Sequence, residues 1–328
     1  MTPKERVALA LAHREADIVP YHVGLTIPIA DQVRRHAGVD DLDAWMGNHL
    51  AVIEPLPPDA WTEAAPGMWR DQFGVVWDRT VDKDIGTVAN CCLPEPTLAG
   101  YQFPDPHAPR RYAAYPAFCR AHADRYVLSD IGFSLFERAW TLRGMENLMM
   151  DFHLHPDFVE DLLDRILDYN LAVLRHVVEF PIDGCRFGDD WGSQRGVMMG
   201  AALWRRFLKP RLARQYALAH EHGRTVFIHS CGCVAELFDD LIEIGVDCFN
   251  PFQPEVMDVY AMKRRYGGRL SFYGGLSTQR TLPFGTPDDV RAECRRLMRE
   301  VGRGGGYLLA PAHDVPKDAP LANVLAMV

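Results

Sequence analysis

The segment TVFIHSCG (225–232) decides the fold of this chain, because it is an apolar run that ends abruptly in polar residues. The chain contains seven such runs, and most lead through a polar or glycine cluster into a helical segment. The other six runs are DIVPYHVGL (17–25), RYVLSDIGF (125–133), DGCRFGDDWG (183–192), VDCFNPFQP (246–254), LSFYGGLS (270–277) and GGYLLAPAHD (305–314).

Helical patterns separate these runs. Strands that alternate with helices of ten or more residues indicate parallel βαβ units. Seven or eight such units in some 300 residues favour a (β/α)8 TIM barrel, an α/β fold. A doubly wound sheet is the alternative, but no GxGxxG motif follows the first strand, and GRGGGY (302–307) precedes a strand. The predicted helices span 144–153, 157–178, 200–222, 234–244, 256–266 and 287–302.

Two further features complete the predicted architecture. Thr2 to Glu5 form a capping box with proline at the first helical position, which predicts an N-terminal helix to about His13. Residues 51–104 are rich in Pro, Gly and Trp, and GVVWDRT and GTVANCC within them predict an antiparallel β-hairpin. We expect this segment to be an insertion across one end of the barrel, and residues 1–328 to form a single domain.

Composition excludes several classes of function. The 328 residues are 48% hydrophobic and 24% charged, as in ordinary globular proteins, and the net charge of −9 argues against a nucleic-acid partner. MTPKERVALALAH lacks the features of a signal peptide, and no run of 18 apolar residues predicts a membrane span. We therefore expect a cytoplasmic protein whose eight cysteines are reduced.

Polar residues occur where the apolar runs end. In a barrel these ends meet at one face, where catalytic residues collect. Residues i and i+2 of a strand share a face, so His229 and Cys231 could reach one metal ion, with a third ligand from another strand. A lone histidine at a strand end is nevertheless more often structural. The polar residues are His22, Glu137, Asp189, Asp190, His229, Cys231, Asn250, Gln253, Tyr273 and His313.

Four motifs of the chain resemble the uroporphyrinogen decarboxylase superfamily, whose fold is a (β/α)8 barrel: IHSCG, FGDDWGSQRG, RDQFGVVWDR and GGYLLAPAHDVPKDAPLANVLAM. The superfamily holds porphyrinogen decarboxylases and zinc-dependent methyltransferases that work with corrinoid proteins. The decarboxylases carry an arginine motif, RQAGR, after the first strand. Here GLTIPIADQ (24–32) has no arginine, and VRRHAG (33–38) comes some ten residues late, so the resemblance favours the methyltransferases.

The methyltransferase branch implies a zinc site made by a His-x-Cys pair and a distant cysteine. His229 and Cys231 match the pair, but APAH with His313 stands where the distant cysteine is expected. The resemblance thus implies zinc bound by His229, Cys231 and His313, with Glu137 as a fourth donor. Alternatively the metal is lost and His313 does acid–base chemistry. A neutral imidazole in place of a thiolate would make zinc a stronger Lewis acid.

The implied activity is methyl transfer between a small methylated substrate, an O-methyl compound by preference, and a corrinoid protein. The chain has no DxHxxG signature, so the cobalamin cofactor would arrive on that partner. We expect Asp189, Asp190 and Glu137 to be catalytic, although a capping role for one aspartate is an equal alternative. The expected substrate-binding residues are His22, Trp191, Asn250, Gln253 and Tyr273. There are two alternative functions: a decarboxylase or lyase that acts on a small carboxylated substrate, and a non-catalytic binding protein. A homodimer is compatible with the fold.

Overall fold

The computed structural model describes residues 1–328, and its helices surround a parallel sheet. No helix combines the length and apolar character needed to cross a membrane. Short 3-10 turns lie at Pro109–Arg111 and Ala235–Leu237, and a π-helical stretch at Trp204–Leu208. The α-helices are α1 (Pro3–Leu11), α2 (Ile27–Ala37), α3 (Leu42–Met46), α4 (Tyr115–Ala121), α5 (Phe136–Arg143), α6 (Met145–Leu154), α7 (Pro156–Val177), α8 (Ala201–Leu203), α9 (Lys209–Glu221), α10 (Phe238–Glu243), α11 (Val259–Tyr266), α12 (Thr281–Phe284), α13 (Pro287–Glu300) and α14 (Leu321–Met327).

Thirteen strands form three sheets of seven, four and two strands. The seven-stranded sheet is parallel throughout, in the order β1-β6-β7-β10-β11-β12-β13. The strands are β1 (Leu50–Ile53), β2 (Trp61–Ala65), β3 (Met68–Asp71), β4 (Val76–Asp78), β5 (Thr87–Val88), β6 (Tyr126–Ile131), β7 (Gly184–Gly188), β8 (Gly192–Ser193), β9 (Gly196–Val197), β10 (Thr225–His229), β11 (Cys248–Phe252), β12 (Ser271–Leu276) and β13 (Tyr307–Pro311).

The extended segment 20–25 closes the barrel between β13 and β1. On one side, the His22 N–H donates to the Leu309 carbonyl at 3.0 Å, and Leu25 forms a parallel bridge with Val315. On the other side, the His49 N–H donates to the Tyr21 carbonyl at 3.1 Å. With this eighth segment the sheet forms the TIM barrel that the sequence predicts.

The N-terminal boundary of the predicted insertion is wrong, because β1 (Leu50–Ile53) belongs to the barrel. Its four residues are too short a run to identify from the sequence, and the prolines of EPLPP follow directly. Conversely, the first apolar run (17–25) contributes only isolated bridges. Pro20 lacks a backbone N–H, which limits regular strand pairing there.

An antiparallel sheet of four strands, β2-β3-β4-β5, forms the regular secondary structure of the insertion. It contains the predicted hairpin, in which Trp77 pairs with Val88, and adds β2 and β3 to it. The buried ion pair between Arg138 of α5 and Asp71 of β3, at 2.9 Å, holds this sheet on the barrel. Trp77 also packs on Phe133, with 5.2 Å between ring centroids.

The barrel interior is filled by side chains from alternate strand positions. Phe227 faces inward with Leu128 and Leu308, whereas its neighbours Val226 and Ile228 face the helices. Helix α1 closes the N-terminal end, since its buried Val7 belongs to the same inner cluster. Because side chains alternate along a strand, the next inward position of β10 after Phe227 is His229, at the opposite end of the barrel.

Candidate active site

A cavity of about 580 Å³ occupies the C-terminal end of the barrel. Each of the eight segments of the barrel wall contributes a residue to it, at an inward position near the C-terminal end of the segment. This placement follows from the period of two along each strand. The eight residues are His22, Glu54, Asp130, Arg186, His229, Asn250, Tyr273 and Ala310.

Three potential metal ligands converge at this end of the barrel. One donor atom from each of His229, Cys231 and His313 lies within 4.8 Å of the other two. The Cys231 Sγ is 3.4 Å from the His229 Nε2, and the two imidazole rings are 5.4 Å apart between centroids. The histidine at the end of β10 and the one after β13 therefore meet, as the sequence analysis expected.

Burial sets the protonation of the first two residues of this cluster. It lowers the pKa of His229 to about 4 and raises the pKa of the Cys231 thiol, which the nearby Asp190 carboxylate raises further. A neutral imidazole offers a lone pair to a metal, and a thiol in this environment needs a cation to ionise. The donor set therefore fits zinc chemically.

Hydrogen bonds orient the two imidazoles differently. The His229 Nδ1 lies 2.5 Å from the Asn250 Oδ1, which leaves Nε2 facing Cys231. In the exposed His313 ring, Nδ1 accepts the backbone N–H of Asp314 at 2.8 Å. His313 would coordinate through Nε2 only after this hydrogen bond is released, because a neutral ring carries a proton on one nitrogen.

The two adjacent aspartates have different environments. Asp189 is fully buried and accepts the backbone N–H groups of Leu135, Phe136 and Glu137 at 2.8–3.2 Å, and the Trp191 Nε1–H at 2.7 Å. It thus caps the start of α5. Burial raises the pKa of Asp189 to about 6, against the opposite effect of these four donors.

Asp190 and Glu137 face the cavity beside the cluster. The Asp190 Oδ1 accepts the Cys231 N–H at 2.7 Å and lies 3.9 Å from the His229 Nε2. Burial raises the pKa of Glu137 well above its ordinary value, and Asp190 and Asp189 raise it further. Neither Glu137 nor Asp190 is in the group of three converging donors. Because the Asp190 Oδ1 lies 3.9 Å from the His229 Nε2, Asp190 is a second candidate for the fourth donor, beside Glu137.

Not all the residues expected to bind substrate line the cavity. His22, Asn250 and Tyr273 do, and the His22 and Tyr273 rings lie edge to face at 6.2 Å. Trp191 does not, because it is fully buried behind the wall and packs on Trp204. Gln253 does not line the cavity either. Its Oε1 accepts a hydrogen bond from the Gly232 backbone N–H, with 3.4 Å between the nitrogen and the oxygen.

The family model "Uroporphyrinogen decarboxylase (URO-D)" matches residues 133–328, more than half of the chain. The chain belongs to the uroporphyrinogen decarboxylase family. The matched region contains β10, β13 and all three residues of the converging cluster.

Curated relatives of this uroporphyrinogen decarboxylase family member are distant. It is 24% identical over 237 residues to the uroporphyrinogen decarboxylase of Methylococcus capsulatus, covering 69% of this chain and 65% of that protein. It is 27% identical over 165 residues to the enzyme of Neisseria meningitidis serogroup C, covering 48% and 45%. The chain thus spans less than two thirds of the length of these relatives.

A solved structure described as a methyltransferase from Methanosarcina mazei has the same fold. The match covers 100% of this chain and 97% of that one, with a TM-score of 0.75 and 20% sequence identity. This match supports the TIM-barrel fold over the full length of the chain.

Four charged residues of the cavity lining were not among the residues expected from the sequence: Glu54, Asp130, Arg186 and Asp314. Arg186 is the only guanidinium of the lining and lies 3.6 Å from Asp130, whereas five carboxylates line the wall: Glu54, Asp130, Glu137, Asp190 and Asp314. Burial, and to a smaller extent the negative charge of Asp130, raises the pKa of Glu54 to about 7. Inward strand positions one step beyond the apolar layer would have identified Asp130 and Arg186, but Glu54 follows the strand that was assigned to the insertion.

Proposed function

We propose that this protein is a methyltransferase that moves a methyl group between a small methylated substrate and a corrinoid protein. The observation that carries the proposal is the convergence of His229, Cys231 and His313 within 4.8 Å at the catalytic end of a TIM barrel. Two imidazoles and a thiolate form a donor set that zinc accepts, with a fourth position open to substrate.

The methyl donor in this proposal is a small molecule, an O-methyl compound by preference, for which a cavity of about 580 Å³ has room. When bound, zinc would supply Lewis-acid polarisation of the substrate heteroatom. Transfer to the partner's corrinoid would break the O–CH3 bond, and the electron pair of Co(I) would form the new bond to the methyl carbon. The O–CH3 electron pair would remain on the substrate oxygen, which takes up one proton. Glu137 is suited to donate that proton, because it lines the cavity and its burial beside Asp190 and Asp189 raises its pKa, which favours the protonated carboxyl group.

The neighbouring residues have distinct tasks in this proposal. Asp190 holds the Cys231 backbone and so orients the thiol. Asp189 acts indirectly, since it fixes the start of α5 and thereby the place of Glu137. His22 and Tyr273 are suited to orient the substrate within the cavity. The corrinoid would reach the cavity on a partner protein docked over the barrel mouth.

Cavity charge argues against a porphyrinogen decarboxylase, whose substrate carries several carboxylates. A substrate with several carboxylates would face five carboxyl side chains and one guanidinium. Leaving anionic groups unpaired beside like charges is costly. The fold shared with a methyltransferase is in keeping with the proposed activity.

The test combines metal analysis with a transfer assay. We expect about one zinc per chain in protein purified without chelator, and methylation of added cob(I)alamin by methoxylated donors. Cys231→Ser should lose both, because it removes a ligand. Cys233→Ser is the matched control, since Cys233 lies two residues away but outside the converging group.

Two results would contradict the proposal. Equal zinc contents in Cys231→Ser and Cys233→Ser would show that Cys231 is not a zinc ligand. Release of CO2 from a carboxylated substrate, without methyl transfer to cob(I)alamin, would instead favour a lyase.

A further inference from the structure

We infer that Asn250 is a positioning residue that sets the tautomer of His229, so that the Nε2 lone pair faces Cys231 and His313. The inference deepens the proposed function, on which its consequence for metal binding depends. Asn250 was expected to bind substrate, but its amide group is occupied by the protein itself.

The orientation of the Asn250 amide follows from its partners. One end lies 3.0 Å from the Tyr273 backbone carbonyl, which can only accept a hydrogen bond. That end must therefore be the NH2 group. The amide oxygen consequently faces the His229 Nδ1, at 2.5 Å. Two neighbouring strands, β11 and β12, thus decide which end of the amide faces the imidazole.

The amide oxygen in turn determines the state of the imidazole. Oδ1 is an acceptor, so the His229 Nδ1 carries the proton and donates it. The neutral ring then has its lone pair on Nε2, the atom 3.4 Å from the Cys231 Sγ. A metal ligand held by such an outer hydrogen bond has its ring orientation fixed before the metal binds.

The backbone keeps this arrangement in register. His229 is paired with Asn250 across β10 and β11, and the Ser230 N–H donates to the Asn250 carbonyl at 2.7 Å. Only 7% of Asn250 is exposed, so water does not compete freely for its amide. His313 has no such outer partner; its Nδ1 accepts from the next residue of its own loop. The cluster thus combines a preset half, His229 with Cys231, and an adjustable third donor.

Two substitutions separate positioning from general stability. Asn250→Leu removes the acceptor, whereas Asn250→Asp keeps an oxygen for the Nδ1 proton and replaces the donor to the Tyr273 carbonyl by a second carboxylate oxygen. Asn323→Leu is the matched control, because Asn323 is a buried amide that donates to the Leu282 and Gly285 carbonyls away from the cavity.

Zinc affinity is the first measurement, made by competition with a chromophoric chelator on protein whose folding is checked by thermal melting. We expect Asn250→Leu to weaken zinc binding about 10–100-fold, as for other outer-shell partners of metal ligands. Asn250→Asp should restore most of the affinity, and Asn323→Leu should leave it unchanged. Equal affinity in the wild type and Asn250→Leu would overturn the inference.

The second measurement needs neither metal nor a folded variant of Asn250. Nitrogen NMR of the 15N-histidine-labelled, metal-free wild type reports which ring nitrogen carries the proton, with His229 assigned by its absence in His229→Gln. We expect the Nδ1–H form, and an Nε2–H form would overturn the inference. A wild type that shows Nδ1–H but binds no zinc would refute the proposed function and leave the positioning role of Asn250 intact.

Discussion

Replacing Asp189 by asparagine tests how the site is held together. The Asp189 Oδ1 accepts the N–H groups of Leu135 and Glu137, and its Oδ2 accepts those of Phe136 and the Trp191 indole. An asparagine of the same shape keeps one oxygen and places an NH2 group against the other pair of donors. Two buried N–H groups therefore lose their acceptor, whichever way the amide turns.

The expected cost follows from those two groups. Each buried N–H left without an acceptor costs about 1–3 kcal/mol, so Asp189→Asn should lower the free energy of unfolding by about 2–6 kcal/mol. Asp190→Asn is the matched control. The Asp190 carboxylate serves one N–H donor, that of Cys231, and its side chain is 34% exposed. The amide oxygen can replace it, so this variant should lose less than about 1 kcal/mol.

Urea denaturation measures the two losses, and hydrogen exchange locates them. In Asp189→Asn, the amides of Leu135, Phe136 and Glu137 should exchange faster than in the wild type, because the carboxylate caps them. Methyl transfer should also fall, since Glu137 begins the same helix. Equal unfolding free energies for the two variants, or unchanged exchange at these amides, would show that Asp189 does not cap α5.

Three further outcomes are expected. Arg138→Met breaks the buried pair with Asp71 and should cost about 3–5 kcal/mol in urea denaturation; a loss below 1 kcal/mol would mean that the inserted sheet is held by apolar packing alone. Burial lowers the pKa of Lys263 to about 8 in the folded protein, so between pH 8 and pH 10 the unfolded chain binds more protons than the folded one. The free energy of unfolding of the wild type, relative to that of Lys263→Met, should therefore rise from pH 8 to pH 10. A difference that does not change with pH would contradict this. In zinc titrations His229→Ala should weaken binding by more than about 100-fold, a larger loss than that expected for Asn250→Leu. His313→Ala should weaken zinc binding less, because His313 is exposed and accepts a hydrogen bond within its own loop. A larger loss in His313→Ala than in His229→Ala would contradict the preset half of the cluster.

Local patterns in the sequence predicted most of the barrel. Continuously apolar runs such as that of β10 predict buried strands directly, and α1 begins at the capping box of Thr2 and Glu5. The four residues of β1 have no such signal, because a run that short is indistinguishable from a loop until its neighbours bury it. Segment 20–25 likewise belongs to the barrel wall only through its hydrogen bonds to β13 and β1.

The candidate site divides in the same way. The spacing of His229 and Cys231 predicted that they share a face if the strand reached Cys231. In the structure β10 ends at His229, and Cys231 approaches the imidazole from the loop that follows. Whether His313, more than eighty residues later, approaches them depended on closure of the barrel. Asp189 and Asp190 are chemically identical in the sequence, and only the tertiary structure separates the helix cap from the residue that faces the cavity.

Local patterns of the sequence were enough to indicate that polar residues follow the apolar runs and that His229 and Cys231 share a face, since the period of a strand is a local property of the chain. The tertiary structure alone decided what those residues meet: the carboxylates around Arg186, the carbonyl that orients Asn250, and the distance from His229 to His313. Such contacts join residues distant in the chain. Their geometry depends on strand register and barrel closure, and no local pattern of residues encodes either of these.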